Sequence, residues 1–433
     1  MRLKGGRGIL SAEQSKAIIE QLKAKAPDSG ALEKHIAIEE ALAGSTLSIG
    51  NRVVLLQDGP DTYTAMLAAI RGAKHHVHME SYIFEADDIG KQFAAALVAR
   101  AKAGVKVRLI YDAVGSNKTP KEFFEELKAG GVEVVAFNPV APGTVLKDGL
   151  AALNHRDHRK LTLVDGRLAF LGGINISDVY GSFGSSSLRR GRESDGDLPF
   201  EKRPWRDIQS RIDGPAVADL QRAFLKQWAR QKKENAIEGK EYYPTLANQG
   251  LNLVRAIEGS PDDQKANAMY MAFISAVDNA ESEVLVMNPY FVPHPELRRA
   301  LVEAARRGVA VKLVLPSRSD SWLAYHAGRS FYGDLLDAGV KIFERKDRML
   351  HAKTATVDGV WSTVGSTNLD WRSLLYNDEL NVVVLGADFA NQMNEVFQRD
   401  LAQSDEITAQ EWRDRPIAER LKEAAARAWA RML

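Results

Sequence analysis

The sequence predicts an α/β protein made of two homologous lobes, each an α/β/α sandwich in which helices flank a mixed β-sheet. Three observations predict it. The run His158-Arg159-Lys160-Leu161-Thr162-Leu163-Val164-Asp165-Gly166 returns as His351-Ala352-Lys353-Thr354-Ala355-Thr356-Val357-Asp358-Gly359. Each copy is followed by a glycine turn and an asparagine, Asn175 or Asn368, 17 positions beyond its histidine. Each is preceded by alternating helix and strand patterns, the mark of a sheet covered by helices.

Residues 1–50 have no counterpart in the second half and read as a mainly helical extension, with Ile18, Ile19 and Leu22 on one face. The first lobe, 51–229, shows a helix over 93–102, a stop at Gly104 and a strand over 105–110. A second such unit covers 123–131 and 132–137. After the first motif, 181–204 is rich in Gly, Ser and Arg, and a stretch of that length signals function or disorder. Residues 230–250 are polar, with Tyr243-Pro244 as a breaker, and read as the linker. The second lobe, 251–433, repeats the pattern: helix 297–306 and strand 309–314, helix 329–339 and strand 340–343, then the second motif. Residues 411–433 close the chain as an amphipathic helix carrying Trp412, Ile417, Leu421, Trp429 and Leu433 among many arginines.

Composition narrows the function. With 433 residues the chain is too long for one core and suits two domains. Hydrophobic residues at 45% and charged ones at 27% describe a globular protein. A net charge of +1 excludes bulk electrostatic binding of nucleic acid, so any basic surface is local. The absence of cysteine excludes disulfides, thiolate catalysis and Cys-ligated metals. Neither an apolar signal-peptide core nor a run of about 18 apolar residues is present, so contact with a membrane is expected from the side.

The repeated motif carries the chemistry. Leu161 to Val164 and Thr354 to Val357 are β-rich, which predicts that each His-x-Lys lies on a strand with both side chains on one face. The glycine turns would bring Asn175 and Asn368 to the same cavity. Two imidazoles, two ammonium groups and two carboxamides suit a phosphodiester, whose negative oxygens need donors. One neutral imidazole attacks phosphorus while the other, protonated, protonates the departing alkoxide. An imidazole pKa of about 6.5 gives access to both states. The roles then reverse for the incoming water or alcohol. No metal and no organic cofactor are expected, because a charged lysine cannot ligate a cation and repels it. A single His-x-Lys would be ordinary strand decoration. Two copies with matching offsets, neither of which has lost its His, Lys or Asn, are not. There is no Gly-x-Ser-x-Gly elbow and no phosphate-binding Gly-x4-Gly-Lys loop.

The paired motifs resemble those of the phospholipase D superfamily, from about Arg52 to beyond Arg372. Finer features resemble its bacterial cardiolipin synthase branch: Asp112-Ala113-Val114-Gly115-Ser116, Asn154 to Lys160, Trp205-Arg206-Asp207 with Arg211-Ile212-Asp213-Gly214-Pro215, and Asn368-Leu369-Asp370-Trp371-Arg372-Ser373. The resemblance implies a pseudo-dimer around one shared site, with His158 as nucleophile and His351 as general acid. The internal symmetry alone leaves that choice open. It also implies an acidic residue downstream of each motif that orients an imidazole. Glu379 fits in the second half, and Asp207 would be its counterpart, displaced by 181–204. Asp165 and Asp358 complete the motifs and are read as structural ties between strands.

The implied reaction takes a phosphatidyl group from phosphatidylglycerol to a second phospholipid, either phosphatidylglycerol again or phosphatidylethanolamine, and releases glycerol. The best-known cardiolipin synthases begin with two membrane-spanning helices, which are missing here. A peripheral enzyme on the cytoplasmic face of a bacterial membrane is therefore expected. Trp412 and Trp429, with Arg413, Arg415, Arg420, Lys422, Arg427 and Arg431, would meet an anionic membrane surface, unless the terminal helix simply packs. Arg189, Arg190 and Arg192 would touch lipid phosphates or belong to a flexible loop. The rival readings are a phospholipase D that transfers to water, a nuclease of the same superfamily, and a non-catalytic membrane scaffold. Near-zero net charge disfavours the nuclease, so no nucleic-acid partner is expected.

Overall fold

Among the described residues each lobe forms its sheet from seven main strands, and the two sheets share one strand order. In the first lobe these are β1 (Ser48–Gln57), β2 (His76–Ser81), β3 (Lys106–Asp112), β4 (Glu133–Phe137), β5 (Lys160–Val164), β6 (Leu168–Gly172) and β7 (Ile208–Asp213). They lie in the order β4-β3-β2-β5-β6-β7-β1, with β2, β3 and β4 mutually parallel and the remaining neighbours antiparallel. The second lobe has β8 (Asn252–Gly259), β9 (Glu283–Met287), β10 (Ala310–Pro316), β11 (Lys341–Arg345), β12 (Thr354–Val357), β13 (Trp361–Gly365) and β14 (Asn377–Leu385). Their order is β11-β10-β9-β12-β13-β14-β8, with the same parallel trio at one end. Strand β15 (Ser404–Ile407) adds to the β11 edge. Strand β1 also pairs with β8 at Asn51 and Asn252, which joins the sheets.

The computed structural model describes residues 3–26, 28–41, 46–139, 154–181, 198–235, 239–261 and 268–430. The insertion with Arg189, Arg190 and Arg192, and the terminal Arg431 and Leu433, lie outside them.

Among the described residues the α-helices are α1 (Ala12–Lys23), α2 (Ser29–Ala41), α3 (Asp58–Gly72), α4 (Asp88–Lys102), α5 (Lys121–Ala129), α6 (Val217–Lys232), α7 (Ala268–Asp278), α8 (Pro295–Arg306), α9 (Trp322–Arg329), α10 (Tyr332–Asp337), α11 (Trp371–Leu375), α12 (Ala387–Leu401), α13 (Ala409–Arg413) and α14 (Ile417–Arg427). On the outer face of the first sheet, Tyr63, Leu67, Phe93, Leu97 and Phe124 from α3, α4 and α5 pack against Val77, Met79, Val107 and Leu109. The inner faces of both sheets share a core with α6 and α12. Leu220, Phe224 and Trp228 on one helix, and Phe389, Met393 and Phe397 on the other, form stripes at i, i+4, i+8 that meet Leu161, Leu163, Val382 and Val384. Each such side chain contributes about 1.5–3 kcal/mol on burial, so this shared layer is what holds the lobes in register.

The amino-terminal extension packs on the second lobe. Leu32 and Ile36 join its core. Buried Glu39 accepts from Arg255 Nη1 and from Trp361 Nε1, each at 2.9 Å. Helix α6 continues to Lys232, so the polar stretch read as a linker begins as helix.

One motif expectation needs correction. The His-x-Lys segments are not strand residues throughout: β5 starts at Lys160 and β12 at Thr354. The residues before them pair across the lobe boundary instead. Arg156-Asp157 run parallel to Asn377-Asp378, and the His158 N–H donates to Asp378 O at 2.9 Å. The His351 N–H donates to Arg206 O at 2.7 Å. Each histidine therefore leaves its own sheet where the other lobe begins.

Asp165 (φ 54°) with Gly166 (φ 62°), and Asp358 (φ 53°) with Gly359 (φ 61°), form the positive-φ turns of the β5–β6 and β12–β13 hairpins. Their carboxylates accept backbone N–H groups ahead of the neighbouring strand, Asp165 from His75 at 2.7 Å and Asp358 from Ser282 at 2.8 Å. Asp165 sits roughly 16 Å from Lys160 along an extended strand. Both aspartates tie strands together.

The closing helix expected over 411–433 is two helices, α13 and α14, broken at Pro416. Trp412, expected at a membrane surface, is buried. Arg415 stacks 4.0 Å from its ring centroid and Tyr332 lies against it. No helix among the described residues is long and apolar enough to cross a membrane.

Candidate active site

At the lobe boundary lies an open cleft of about 400 Å³, and His158 and His351 both line it. Asn175 and Asn368 line it too, with Tyr82, Trp205, Tyr290, Asp320 and Arg372. Segments 193 positions apart thus meet in one pocket.

The pairing of histidines with acids is crossed. His158 Nδ1, in the first lobe, lies 3.0 and 3.1 Å from the two carboxylate oxygens of Glu379 on β14 of the second. His351 Nδ1 lies 2.7 Å from Asp207 Oδ2, just ahead of β7 in the first lobe. An ionised carboxylate at Nδ1, as Glu379 provides for His158, favours the tautomer with the proton there and leaves the Nε2 lone pair free. Asp207 is held by its neighbours. Its N–H donates to Asp58, and Arg206 beside it donates to Asp58 and Asp400, each at 2.9 Å.

The lysines do not project beside their histidines into the cleft. Each ammonium folds back on its own motif: Lys160 Nζ donates to His158 O and Lys353 Nζ to His351 O, both at 2.5 Å. Both are buried. Lys160 also lies over the Tyr82 ring, and Lys353 Nζ is 3.0 Å from His351 Nδ1. They brace the imidazoles from beneath and supply a local positive potential. The two asparagines differ. Asn175 is committed, its oxygen accepting the Ile83 N–H at 3.0 Å and its amide donating to Tyr180 Oη at 2.8 Å. Among the described residues the Asn368 side chain makes no hydrogen bond and its buried oxygen has no partner, so it is free to meet a ligand.

Burial shapes the electrostatics. It lowers His158 to about 4, against the pull of Glu379. Burial and the nearby Lys353 and Lys160 hold His351 well below its usual value. It also lowers Lys160 to about 7 and Lys353 to about 8. Asp207 is raised to about 7 by burial despite Lys353. Burial raises Glu379 as well, but His158, Lys160 and Ser366 outweigh it and leave that carboxyl below its ordinary range. A cleft lined by two imidazoles and backed by two buried lysines favours an anionic guest, which would stabilise the charged lysines and a proton on His351.

Sequence reasoning missed the residues that hold the acids. Glu379 also accepts from Ser366, from Ser373 at 2.7 Å and from Asn377 at 3.3 Å. Tyr180 Oη lies 3.3 Å from His351 Nδ1. Their signal was positional: Tyr180 and Ser373 each stand five residues past a motif asparagine. No group of three or more His, Cys, Asp or Glu among the described residues could hold a metal ion.

Comparison with known proteins points one way. The family profile described as "Cardiolipin synthase, PLD-like domain" matches residues 66–181 and 273–401. The chain is 34% identical over 382 residues to a cardiolipin synthase of Geobacillus kaustophilus, covering 88% of this chain and 72% of the relative. It is also 34% identical over 392 residues to cardiolipin synthase 2 of Bacillus anthracis, covering 90% and 72%. Among solved structures, phosphatidylserine synthase of Haemophilus influenzae superposes with a TM-score of 0.66 at 13% identity, over 92% of this chain and 98% of the other, which establishes likeness of fold.

Proposed function

The chain belongs to the cardiolipin synthase, phospholipase D-like domain family, and from that membership we propose that it moves a phosphatidyl group from phosphatidylglycerol to a second phospholipid through a phosphohistidine at His158. As a cardiolipin synthase-type phosphatidyltransferase it needs one donor site and two acceptors in turn, the enzyme and then a lipid hydroxyl.

The observation that carries the mechanism is the crossed pair of acid-held imidazoles in one cleft. Nε2 of neutral His158 attacks phosphorus, and the P–O bond to the glycerol headgroup breaks. His351, protonated in the presence of the anionic diester, gives its proton to the leaving oxygen. In the second half-reaction His351 takes the proton of the incoming hydroxyl. That oxygen attacks phosphorus, the N–P bond breaks, and cardiolipin leaves. Asn368 and the two lysine charges stabilise the phosphoryl oxygens as charge builds on them. His158 is the better nucleophile because its carboxylate partner is the firmly ionised one. Purified protein incubated with phosphatidylglycerol vesicles should release glycerol and cardiolipin in equal amounts. Phosphatidic acid as the main product would indicate transfer to water, and no lipid turnover would remove the proposal.

The reading also needs contact with a lipid surface, and α14 supplies a face for it. Ile417 and Leu421 on the helix and Trp429 just past its end are 73%, 66% and 55% exposed, with Lys422, Arg420 and Arg427 alongside. Helix α14 packs on α9, whose Trp322 is exposed and whose Ala324 lines the cleft. An apolar stripe with basic flanks suits insertion into an anionic interface. Leu421→Asp with Trp429→Asp should lower flotation with anionic vesicles by about tenfold, with turnover of detergent-dispersed lipid retained. Flotation equal to that of the parent protein would rule the face out.

A further inference from the structure

The half-sites follow one plan but fasten their carboxylates differently. Aligning the repeats at their constant offset of 193 residues sets Ser366 opposite Gly173 and Ser373 opposite Tyr180. Both serine hydroxyls donate to Glu379, one to each oxygen. Each serine oxygen also accepts a backbone N–H, from Leu380 into Ser366 at 3.0 Å and from Asn368 into Ser373 at 3.1 Å. A hydroxyl has one proton. With its acceptor side engaged by the backbone, the Ser366 proton has Glu379 as a closer acceptor than Leu380 O at 3.4 Å, and the Ser373 proton faces Glu379 at 2.7 Å with Asp370 also beside it.

Asp207 has no equivalent. It accepts the backbone N–H of Ile208 at 2.7 Å. Gly173 lies so close that a Cβ there would sit 2.2 Å from Asp207 Oδ1, so no serine can stand in that turn as it is built. The Tyr180 hydroxyl, in the place of Ser373, accepts from Asn175 and faces the imidazole rather than the acid.

We propose that Ser366 and Ser373 are positioning residues that make the half-sites unequal. Their hydroxyls keep Glu379 ionised, which commits His158 to the Nδ1-protonated tautomer, and the half built on Asp207 and His351 becomes the one where a proton rests. The inference rests on phosphatidyl transfer taking place in this cleft. The charged groups facing Glu379 are His158 and Lys160 from the first lobe, with Lys353 and Asp370 from its own. Those facing Asp207 are His351, Lys353, Lys160 and Arg206. Cations stand beside both acids, and side-chain donors Ser366, Ser373 and Asn377 are what Glu379 has and Asp207 lacks. The opposite displacements of the two carboxyls agree with that difference.

The test uses the full chain with Ser366→Gly, which installs what the first half carries, with Ser373→Ala, and with both. The double variant should lose about 10- to 100-fold in kcat on phosphatidylglycerol vesicles, with KM within about twofold. Glu379 then ionises less readily, so the acid limb of kcat should move up by about one pH unit. Ser373→Thr, which keeps the hydroxyl, should restore that limb. A second readout needs no turnover: nitrogen chemical shifts of labelled histidine should report a single Nδ1–H tautomer for His158 in the parent protein and a mixture in the variants. An unmoved acid limb with an unmoved tautomer, in variants that melt like the parent, overturns the clamp. A tautomer change in a protein that turns over no lipid would keep the clamp and remove the lipid-transfer reading.

Discussion

Replacing His158 with alanine should lower phosphatidyl transfer by at least about 10⁴-fold, the scale of loss when an enzyme is stripped of its nucleophile. Among the described residues the other nucleophilic nitrogen groups at the site are engaged elsewhere. His351, the other imidazole, is tied to Asp207, and the two ammonium groups are turned back onto main-chain carbonyls. His351→Ala should be comparably slow on phosphatidylglycerol but should differ in one respect. A diester with a nitrophenolate leaving group needs no proton as it departs, so His351→Ala should regain much of its rate on it and His158→Ala should not. Rapid-quench mass spectrometry in alkaline conditions, where phosphohistidine survives, should find the adduct on the peptide containing His158. An adduct on His351, or a nearly normal rate for His158→Ala, would overturn the assignment.

Glu379→Gln should cost about 10³- to 10⁴-fold in kcat, although residue 379 lies in the opposite lobe from the histidine it holds. The amide is nearly isosteric. It offers one oxygen where four donors now converge, and presents an N–H₂ to hydroxyls and an imidazole that are themselves donors. His158 can then rotate or change tautomer. KM should stay within about threefold, because the loss falls on the attack step. The stability consequence has a definite sign. The Glu379 carboxyl is lowered in the folded protein, so its contribution is present at neutral pH and fades as pH falls through that lowered value. The variant should therefore lose stability at neutral pH and converge with its parent in acid, as seen in melting temperatures across pH. Less than about a tenfold loss of kcat would mean that the carboxylate does not orient the nucleophile.

Much of this architecture could be read from the chain because the repeat is written in residue types with few alternatives. Gly104 and Gly308 stop helices at the same point in each half, and both have positive φ in the folded protein. The Asp-Gly pairs at 165–166 and 358–359 are hairpin turns by their chemistry alone. What escaped was contact across the lobes. Glu379 lies 28 residues past its own motif histidine and Asp207 lies 49 past its own, and neither spacing tells which imidazole the acid will meet. The lysines were misplaced because β-rich composition marks where a strand can run, whereas the start of β5 depends on Arg156-Asp157 having found a partner in the other lobe. Trp412 was left between two readings for a related reason. An aromatic residue among arginines suits a lipid surface or a cation–π stack equally well, and here Arg415 and Tyr332 claim it.

The exchange of acids between the lobes has a consequence for how such a protein can change over time. A duplicated gene usually leaves one copy at liberty to drift while the other keeps working. Here each repeat carries the partner of its sibling's imidazole, so damage to either one disables both, and neither is a spare. The two can still diverge in whatever surrounds the imidazoles, and the turn at Gly173 beside its serine-bearing twin at Ser366 is a place where they have done so.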